Sequence, residues 1–225
     1  MSCPHLALTE TKLRPELPPL PDYMKHLPVH RGYPVPAFVH WMENGEPEFR
    51  VLEPGFFIKA YRQQLCWVCG LPFTNRRRAF VIGPMCAINR ISAELPCHTD
   101  CARFSAMGCP FLSKPTMVRR ENALPDGISF QEGHVEHNPT VALVYHTKNR
   151  FWIHDTSGGP LIEMDEPTHV EWYYAGKPAN REQCMTALLV GMAQLRAEAL
   201  AKGPREVVAM EDAITYVIDN LVPKQ

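Results

Sequence analysis

The chain has 225 residues, and its 23 lysines and arginines nearly balance its 24 aspartates and glutamates, giving a formal net charge of −1 at pH 7. Hydrophobic residues make up 45% and charged residues 21%, which is the composition of a folded soluble protein rather than a disordered chain. The N-terminus lacks a basic stretch followed by an apolar run, and no apolar run approaches the roughly 18 residues of a membrane helix. We therefore expect a cytoplasmic protein that does not associate with a membrane.

The first third of the chain is expected to hold an extended arm followed by a hairpin. Many of the 22 prolines fall within the first 36 residues, which favours an irregular arm over a helix. Apolar residues then flank the turn ENGE, and Asn44-Gly45 tolerates positive φ, so the pattern predicts a hairpin. The stretch GFFIKAYRQQL predicts a short helix or an extended lead into the first cysteine pair.

The remaining elements follow in order. RAFVIGPM contains a strand candidate, and CARFSAMGC predicts a helix capped by Thr99 or Asp100. TVALVYHT, RFWIHDT, PLIEMD and HVEWYYAG predict a meander of four antiparallel strands. Asn180 is a good N-cap for a long helix that Gly203-Pro204 ends, and REVVAMEDAITYVIDNLV predicts a second amphipathic helix.

Together these elements predict an α+β fold: an antiparallel β-meander with C-terminal helices and a treble-clef-like zinc-binding subdomain. Residues 1–36 form the predicted arm, and residues 37–120 the hairpin and cysteine-rich zinc-binding region. Residues 121–225 are expected to form the sheet and the two C-terminal helices. We expect the last two regions to pack as one compact body.

The eight cysteines carry the clearest chemical signal. In a reducing compartment a disulfide framework is not expected, so closely spaced cysteines predict a metal site. Cys66 and Cys69 form a Cys-x-x-Cys turn, which the following Gly70 can close with positive φ. His98 and Cys101 have the same gap at the start of a predicted helix. We expect these four residues to hold one structural zinc ion.

Other ligand sets stay open at this point. Cys97 can replace His98, because it lies four residues before Cys101 on the same helix face. An iron–sulfur cluster favours four thiolates and would recruit spare cysteines such as Cys86 and Cys109. A thioredoxin-like redox pair is disfavoured because Gly-Leu-Pro at residues 70–72 does not open a helix.

The run LCWVCG … FVIGPMCAINR … HTDC … CPFL … MVRREN resembles a family of uncharacterised bacterial and phage proteins that share this cysteine-rich block. The resemblance extends more loosely from GYPVPAFV to EWYYAG and the helix after it, and so covers most of the chain. The family has no assigned activity, so the resemblance implies no function. It does imply His98 and Cys101 as the second ligand pair, and it marks GPMC with Asn89 and Arg90 as a further motif.

The cysteine-rich segment is also basic. Between residues 60 and 120, nine lysines and arginines face two acidic residues, a net charge of +7. Local positive potential favours an anionic partner, although solvated charged faces would produce the same count. Arg76, Arg77 and Arg78 form a predicted basic tip that would contact nucleic-acid phosphates, and Trp67 or Phe73 could stack on a base.

Two functional hypotheses follow. The first is a non-catalytic module whose basic 60–120 face binds nucleic acid or another protein. The second is an enzyme acting on a phosphorylated or nucleotide-like small molecule in a pocket beside the zinc subdomain. Cys86 would serve there as a nucleophile or additional thiolate, Arg90 would hold an anion, and Asn89 and Arg119 would complete the wall. The first hypothesis is favoured because no catalytic acid–base pair is identifiable.

Overall fold

The computed structural model describes residues 12–118, 138–148, 151–157 and 159–225. Within those residues the chain is a mixed α+β fold with antiparallel sheets and six α-helices. The strands are β1 Val29–His30, β2 Tyr33–Pro34, β3 Val39–Trp41, β4 Pro47–Leu52, β5 Arg78–Ile82, β6 Ile91–Ser92, β7 Val141–Thr147, β8 Phe151–Thr156, β9 Gly159–Met164, β10 His169–Tyr174 and β11 Lys177–Pro178. The helices are α1 Phe56–Gln63, α2 Pro84–Asn89, α3 Thr99–Gly108, α4 Pro110–Ser113, α5 Arg181–Lys202 and α6 Pro204–Asn220.

The central sheet is organised around β7. Its residues from Val141 to Tyr145 are fully buried, because this apolar run has a helix layer on each face. The sheet order is β11-β10-β7-β5, with every pairing antiparallel. His146 lies on the face that contacts α3, whereas Tyr145 lies on the face toward α2 and α6.

The predicted four-stranded meander is wrong in its pairing. β7 does not pair with β8; its neighbours are β5 and β10. β8 carries exposed side chains such as Trp152 and His154, and it pairs with β9 in a separate three-stranded sheet of order β6-β9-β8. β8 is largely exposed, whereas β5 and the Trp172–Tyr173 part of β10 are buried, so the strands beside β7 share more of its buried environment.

Several local predictions are confirmed, whereas the predicted irregular arm contains the short antiparallel pair β1–β2. β3 and β4 form the expected hairpin, and Gly45 in its turn has φ of 81°. The segment before the first cysteine pair forms helix α1. Asn180 caps α5 in a capping box: its Oδ1 accepts from the Gln183 amide at 3.0 Å, and Gln183 Oε1 accepts from the Asn180 amide at 3.0 Å.

Helix α5 is apolar over most of its length. Among the described residues it is the one helix long and apolar enough to cross a membrane by length and composition, which differs from the expectation that no segment would reach this limit. That is weak support for a membrane span, since core helices of soluble proteins pass the same test. One side of α5 packs into the main core, where a Cβ on Gly191 would lie 2.4 Å from Met85 Cγ of α2.

Candidate metal centre

The first half of the site is a tight turn around Cys66 and Cys69. The Cys66 amide donates to Leu71 O at 2.8 Å, and the Gly70 amide donates to Cys66 O at 2.9 Å. Gly70 has φ of 70°, and a Cβ there would lie 2.9 Å from the Ala37 side chain. Both the backbone conformation and the lack of space therefore favour glycine at this position. The turn points both sulfurs to one side, and the Cys69 amide lies 3.5 Å from Cys66 Sγ.

The second half is the N-terminus of α3. A bridge between Ala79 and Cys97 holds the chain before the helix against β5. His98 is the N-cap residue of α3, and Cys101 lies in the first turn, as the spacing predicts. The cap differs from the predicted Thr99 or Asp100, because the chain becomes helical one residue earlier. The His98 amide donates to Cys66 Sγ at 3.3 Å, which joins the two halves.

The four predicted ligands meet in the interior. Cys66, Cys69, His98 and Cys101 are all buried, and their ligand atoms lie within 4.8 Å of one another. Cys69 Sγ lies 3.3 Å from His98 Nδ1. The cluster could therefore hold one metal ion, and the described cysteines form no disulfide that would compete for the sulfurs.

The acid–base properties of the cluster favour negative charge on the Cys66 sulfur, while hydrogen bonding with Cys66 and Cys69 raises the pKa of Cys101. Burial opposes ionisation of Cys66, but hydrogen bonds from Cys101, Cys69, Cys97 and His98 outweigh it and lower the pKa of Cys66. Burial also opposes the charged form of His98, yet the neighbouring sulfurs of Cys66 and Cys69 raise the pKa of His98 to about 10. A cation is thus the natural partner of these groups, and its binding would displace protons from them.

The structure separates His98 from its rival Cys97. Cys97 is buried, with its sulfur in contact with Cys66 and 4.0 Å from Leu95 O, but that sulfur is not one of the four clustered ligand atoms. Cys86, in α2, also lies outside the cluster, and burial raises its pKa to about 11. A thiol with that pKa is mostly protonated near neutral pH, which argues against Cys86 as a nucleophile.

Aromatic side chains enclose the imidazole of His98. Tyr23 stacks on it with ring centroids 4.1 Å apart and an interplanar angle of 5°, and the Phe73 ring lies 4.8 Å away. With Nδ1 directed at Cys69, Nε2 is buried and has no hydrogen-bond partner among the described residues. Sequence reasoning missed Tyr23, because it lies in the proline-rich arm, 75 residues from His98 in the chain.

The three arginines of the basic tip differ in how far they are buried. Arg76 and Arg77 are exposed, but Arg78 is only 5% exposed, which differs from the expectation that all three project into solvent. The Arg78 guanidinium lies 3.6 Å from the centroid of the Phe73 ring and donates to the Asn75 carbonyl. Burial lowers the pKa of Arg78 to about 10. Arg78 therefore supports the loop instead of offering its charge to a partner.

The suggested base-stacking role of Trp67 is wrong. Trp67 is 1% exposed and packs against Phe38, with ring centroids 5.2 Å apart, and against Phe56 at 5.4 Å. It is a residue of the hydrophobic core.

A groove does contain two of the predicted pocket residues. Asn89 and Arg90 line a cavity of about 460 Å³ between α2 and α6, and Tyr145 of β7 also lines it. The cavity is acidic, since Glu166, Glu206 and Asp212 line it with Arg90, whose Nη1 lies 3.7 Å from Glu166. Cys86 does not line it, and the predicted Arg119 lies outside the described residues.

A polar network anchors α3 to the central sheet. Glu171 of β10 accepts from Arg103 Nε at 3.0 Å, from His146 Nε2 at 2.7 Å and from the Tyr173 hydroxyl at 2.7 Å. Burial raises the pKa of Glu171, but these hydrogen bonds dominate and lower it to about 2. Arg103 lies two residues after Cys101, so the network fixes the helix that presents the last two ligands.

Comparisons of the chain with protein-family models, with curated proteins and with solved structures found no match. The function must therefore be argued from the site itself.

Proposed function

We propose that this chain is a non-catalytic module that is stabilised by one structural zinc ion and binds nucleic acid through an exposed basic loop. Three thiolates and one imidazole are a common ligand set for structural zinc. Tetrahedral bonds of about 2.0–2.3 Å separate such ligands by about 3.7 Å, which suits atoms that lie within 4.8 Å of one another. An iron–sulfur cluster would favour four thiolates, so zinc is the better match to this set.

The role of the metal is structural in this proposal. All four ligands are protein side chains and all are buried, which leaves no coordination position for water or a substrate. The ion would join the turn at Cys66 to the N-terminus of α3, much as in a treble clef. β5 lies between these two halves along the chain; it pairs with β7 in the sheet, and the Ala79–Cys97 bridge joins it to the segment before α3.

The loop of residues 74–78, which precedes and enters β5, carries the proposed binding function. Asn75 Oδ1 accepts from the Arg77 amide at 2.8 Å, and Arg78 packs on Phe73 beneath the loop. Arg76 and Arg77 are thus presented from a supported backbone while their own side chains stay exposed. Preorganised arginines are well suited to phosphate, because little order is lost on binding.

The alternative of an enzyme acting on a phosphorylated substrate is less well supported. The groove that contains Asn89 and Arg90 is lined by three carboxylates against that one arginine, so it would repel an anionic ligand. If the loop binds a protein instead, the binding test with oligonucleotides will show no salt-sensitive binding.

Metal content tests the first half of the proposal. Inductively coupled plasma mass spectrometry of the purified chain should give one zinc per molecule. Cys101→Ser should reduce this to a small fraction, whereas Cys86→Ser should leave it unchanged because that thiol lies outside the cluster. A folded chain without zinc, or equal loss in both variants, would contradict the assignment.

Fluorescence anisotropy with labelled single-stranded and duplex oligonucleotides, from 50 to 200 mM NaCl, tests the second half. Arg76→Glu/Arg77→Glu should weaken binding and reduce the slope of log K against log salt by about 1–2, as expected for two lost phosphate contacts. Lys177→Glu/Lys224→Glu is the control, since it makes the same charge change at exposed residues elsewhere. Equal weakening by the control, or no salt-sensitive binding by the zinc-loaded protein, would refute the nucleic-acid role.

A further inference from the structure

Helix α5 is apolar on two opposite sides. Its inner side is buried in the core through Cys184, Ala187, Leu188, Gly191, Met192, Leu195 and Ala199. Its outer side, here called the outer stripe, consists of Thr186, Leu189, Val190, Ala193, Ala197, Leu200 and Ala201, all exposed. Leu189, Val190 and Leu200 are 60%, 75% and 69% exposed. A surface helix usually has a polar outer face, so a contiguous apolar stripe on that side indicates a partner.

The spacing within the stripe is that of a helix–helix seam. Val190, Ala193, Ala197 and Leu200 follow one another at intervals of three, four and three residues. This is the a/d spacing by which one helix packs into the groove of another along a shallow crossing angle. The stripe therefore fits a second helix better than a compact ligand.

The same four residues are complementary to themselves, and from this we propose that α5 of a second copy of this chain packs antiparallel on the outer stripe. The 3-4-3 spacing reads identically from either end, so a two-fold axis near residue 195 places each Val190 opposite Leu200 of the other copy. It also places Ala193 opposite Ala197. The alanines allow close approach at the centre, and the larger side chains fill the space on either side.

Charges at the helix ends agree with the antiparallel arrangement. Glu182 is exposed in the first turn of α5, and Lys202 and Arg205 are exposed just past the other end of the stripe. Antiparallel packing places Glu182 of each copy beyond the C-terminal end of the other α5, on the side of Lys202 and Arg205. It also sets the positive end of one helix dipole beside the negative end of the other.

The area of the outer stripe determines how strongly two copies are expected to bind each other. A helix of 22 residues is about 33 Å long. Two such faces would bury on the order of 1,000 Å² in total, near the lower limit for a specific interface. The dimer should therefore be concentration-dependent, with monomer predominating in dilute solution.

Sedimentation equilibrium of the zinc-loaded chain tests this. The mass should rise from 25.6 kDa toward twice that value as the concentration increases from about 1 to 200 µM, a range that spans weak interfaces. Ala193→Glu/Ala197→Glu should stay monomeric over the whole range, because four carboxylates would meet at the centre. Ala209→Glu, the same substitution at an exposed residue of α6, should dimerise like the parent chain.

A charge exchange tests whether the outer stripes of two copies face each other. Ala193→Lys/Ala197→Lys should also be monomeric alone, but an equimolar mixture with the Glu variant should form the heterodimer. Recovery in the mixture requires the two stripes to face each other, which a misfolded variant cannot imitate. A parent chain that stays monomeric at 200 µM overturns the proposal, whether or not it floats with vesicles of phosphatidylcholine and phosphatidylserine. Flotation would indicate that the stripe binds a lipid surface instead.

Discussion

Replacing Glu171 by glutamine should weaken the attachment of α3 to the central sheet. The substitution keeps the shape of the side chain but removes the charge that Arg103 and His146 face. The pKa of Glu171 is about 2 against an ordinary 4.5, a difference worth about 3 kcal/mol at about 1.4 kcal/mol per pKa unit. Arg103 is 41% exposed, so solvent screening reduces the expected loss to about 1–2 kcal/mol at pH 7.

The loss should depend on pH with a defined sign. Because the folded-state pKa of Glu171 lies below its ordinary value, the ionised network stabilises the fold above about pH 4.5. That contribution decreases as the pH falls from there toward 2. The contribution of Glu171 itself to the free-energy difference between the parent chain and Glu171→Gln should therefore shrink, by less than about 1 kcal/mol between pH 6 and pH 4.

Urea unfolding followed by tryptophan fluorescence, with zinc present throughout, measures this difference. Because both proteins have the same metal site, its contribution cancels when one free energy of unfolding is subtracted from the other. Glu163→Gln is the matched control: Glu163 also pairs with a histidine, His154, at 2.8 Å, but its side chain is 46% exposed. That change should cost less than about 0.5 kcal/mol. Equal effects of the two substitutions, or no loss from Glu171→Gln at pH 7, would refute the anchoring role.

Two further substitutions test the packing and capping of α5. Gly191→Ala should destabilise the fold despite a helix-propensity gain of about 1 kcal/mol, because overpacking against Met85 costs about 1–3 kcal/mol. Urea unfolding measures the change in the free energy of unfolding that Gly191→Ala causes. In a Met85→Ala background this change should be more favourable by at least about 1 kcal/mol. An equal change in both backgrounds would show that the contact with Met85 is unimportant. Asn180→Ala should cost about 1 kcal/mol in the same assay by removing the capping box with Gln183. A change within experimental error would mean that packing alone positions the start of α5.

Local patterns in the sequence were sufficient to identify the four residues of the candidate metal centre and most of the elements. The equal two-residue gaps of Cys66/Cys69 and His98/Cys101 follow from how a turn and a helix start each present two side chains to one ion. The N-cap Asn180 and the hairpin turn at Gly45 are similarly local, since each depends on hydrogen bonds or φ values within a few residues.

What the sequence by itself determined, then, was which short segments form turns, helices and ligand pairs, because those depend on neighbours along the chain. Only the tertiary structure decided that β7 pairs with β5 and β10, since a buried strand selects its neighbours by packing and not by proximity in sequence. The fold likewise placed Tyr23 on His98 and buried Arg78 while exposing Arg76 and Arg77. Burial and long-range contact are properties of the assembled core, and a run of three arginines contains no local signal of which one will face inward.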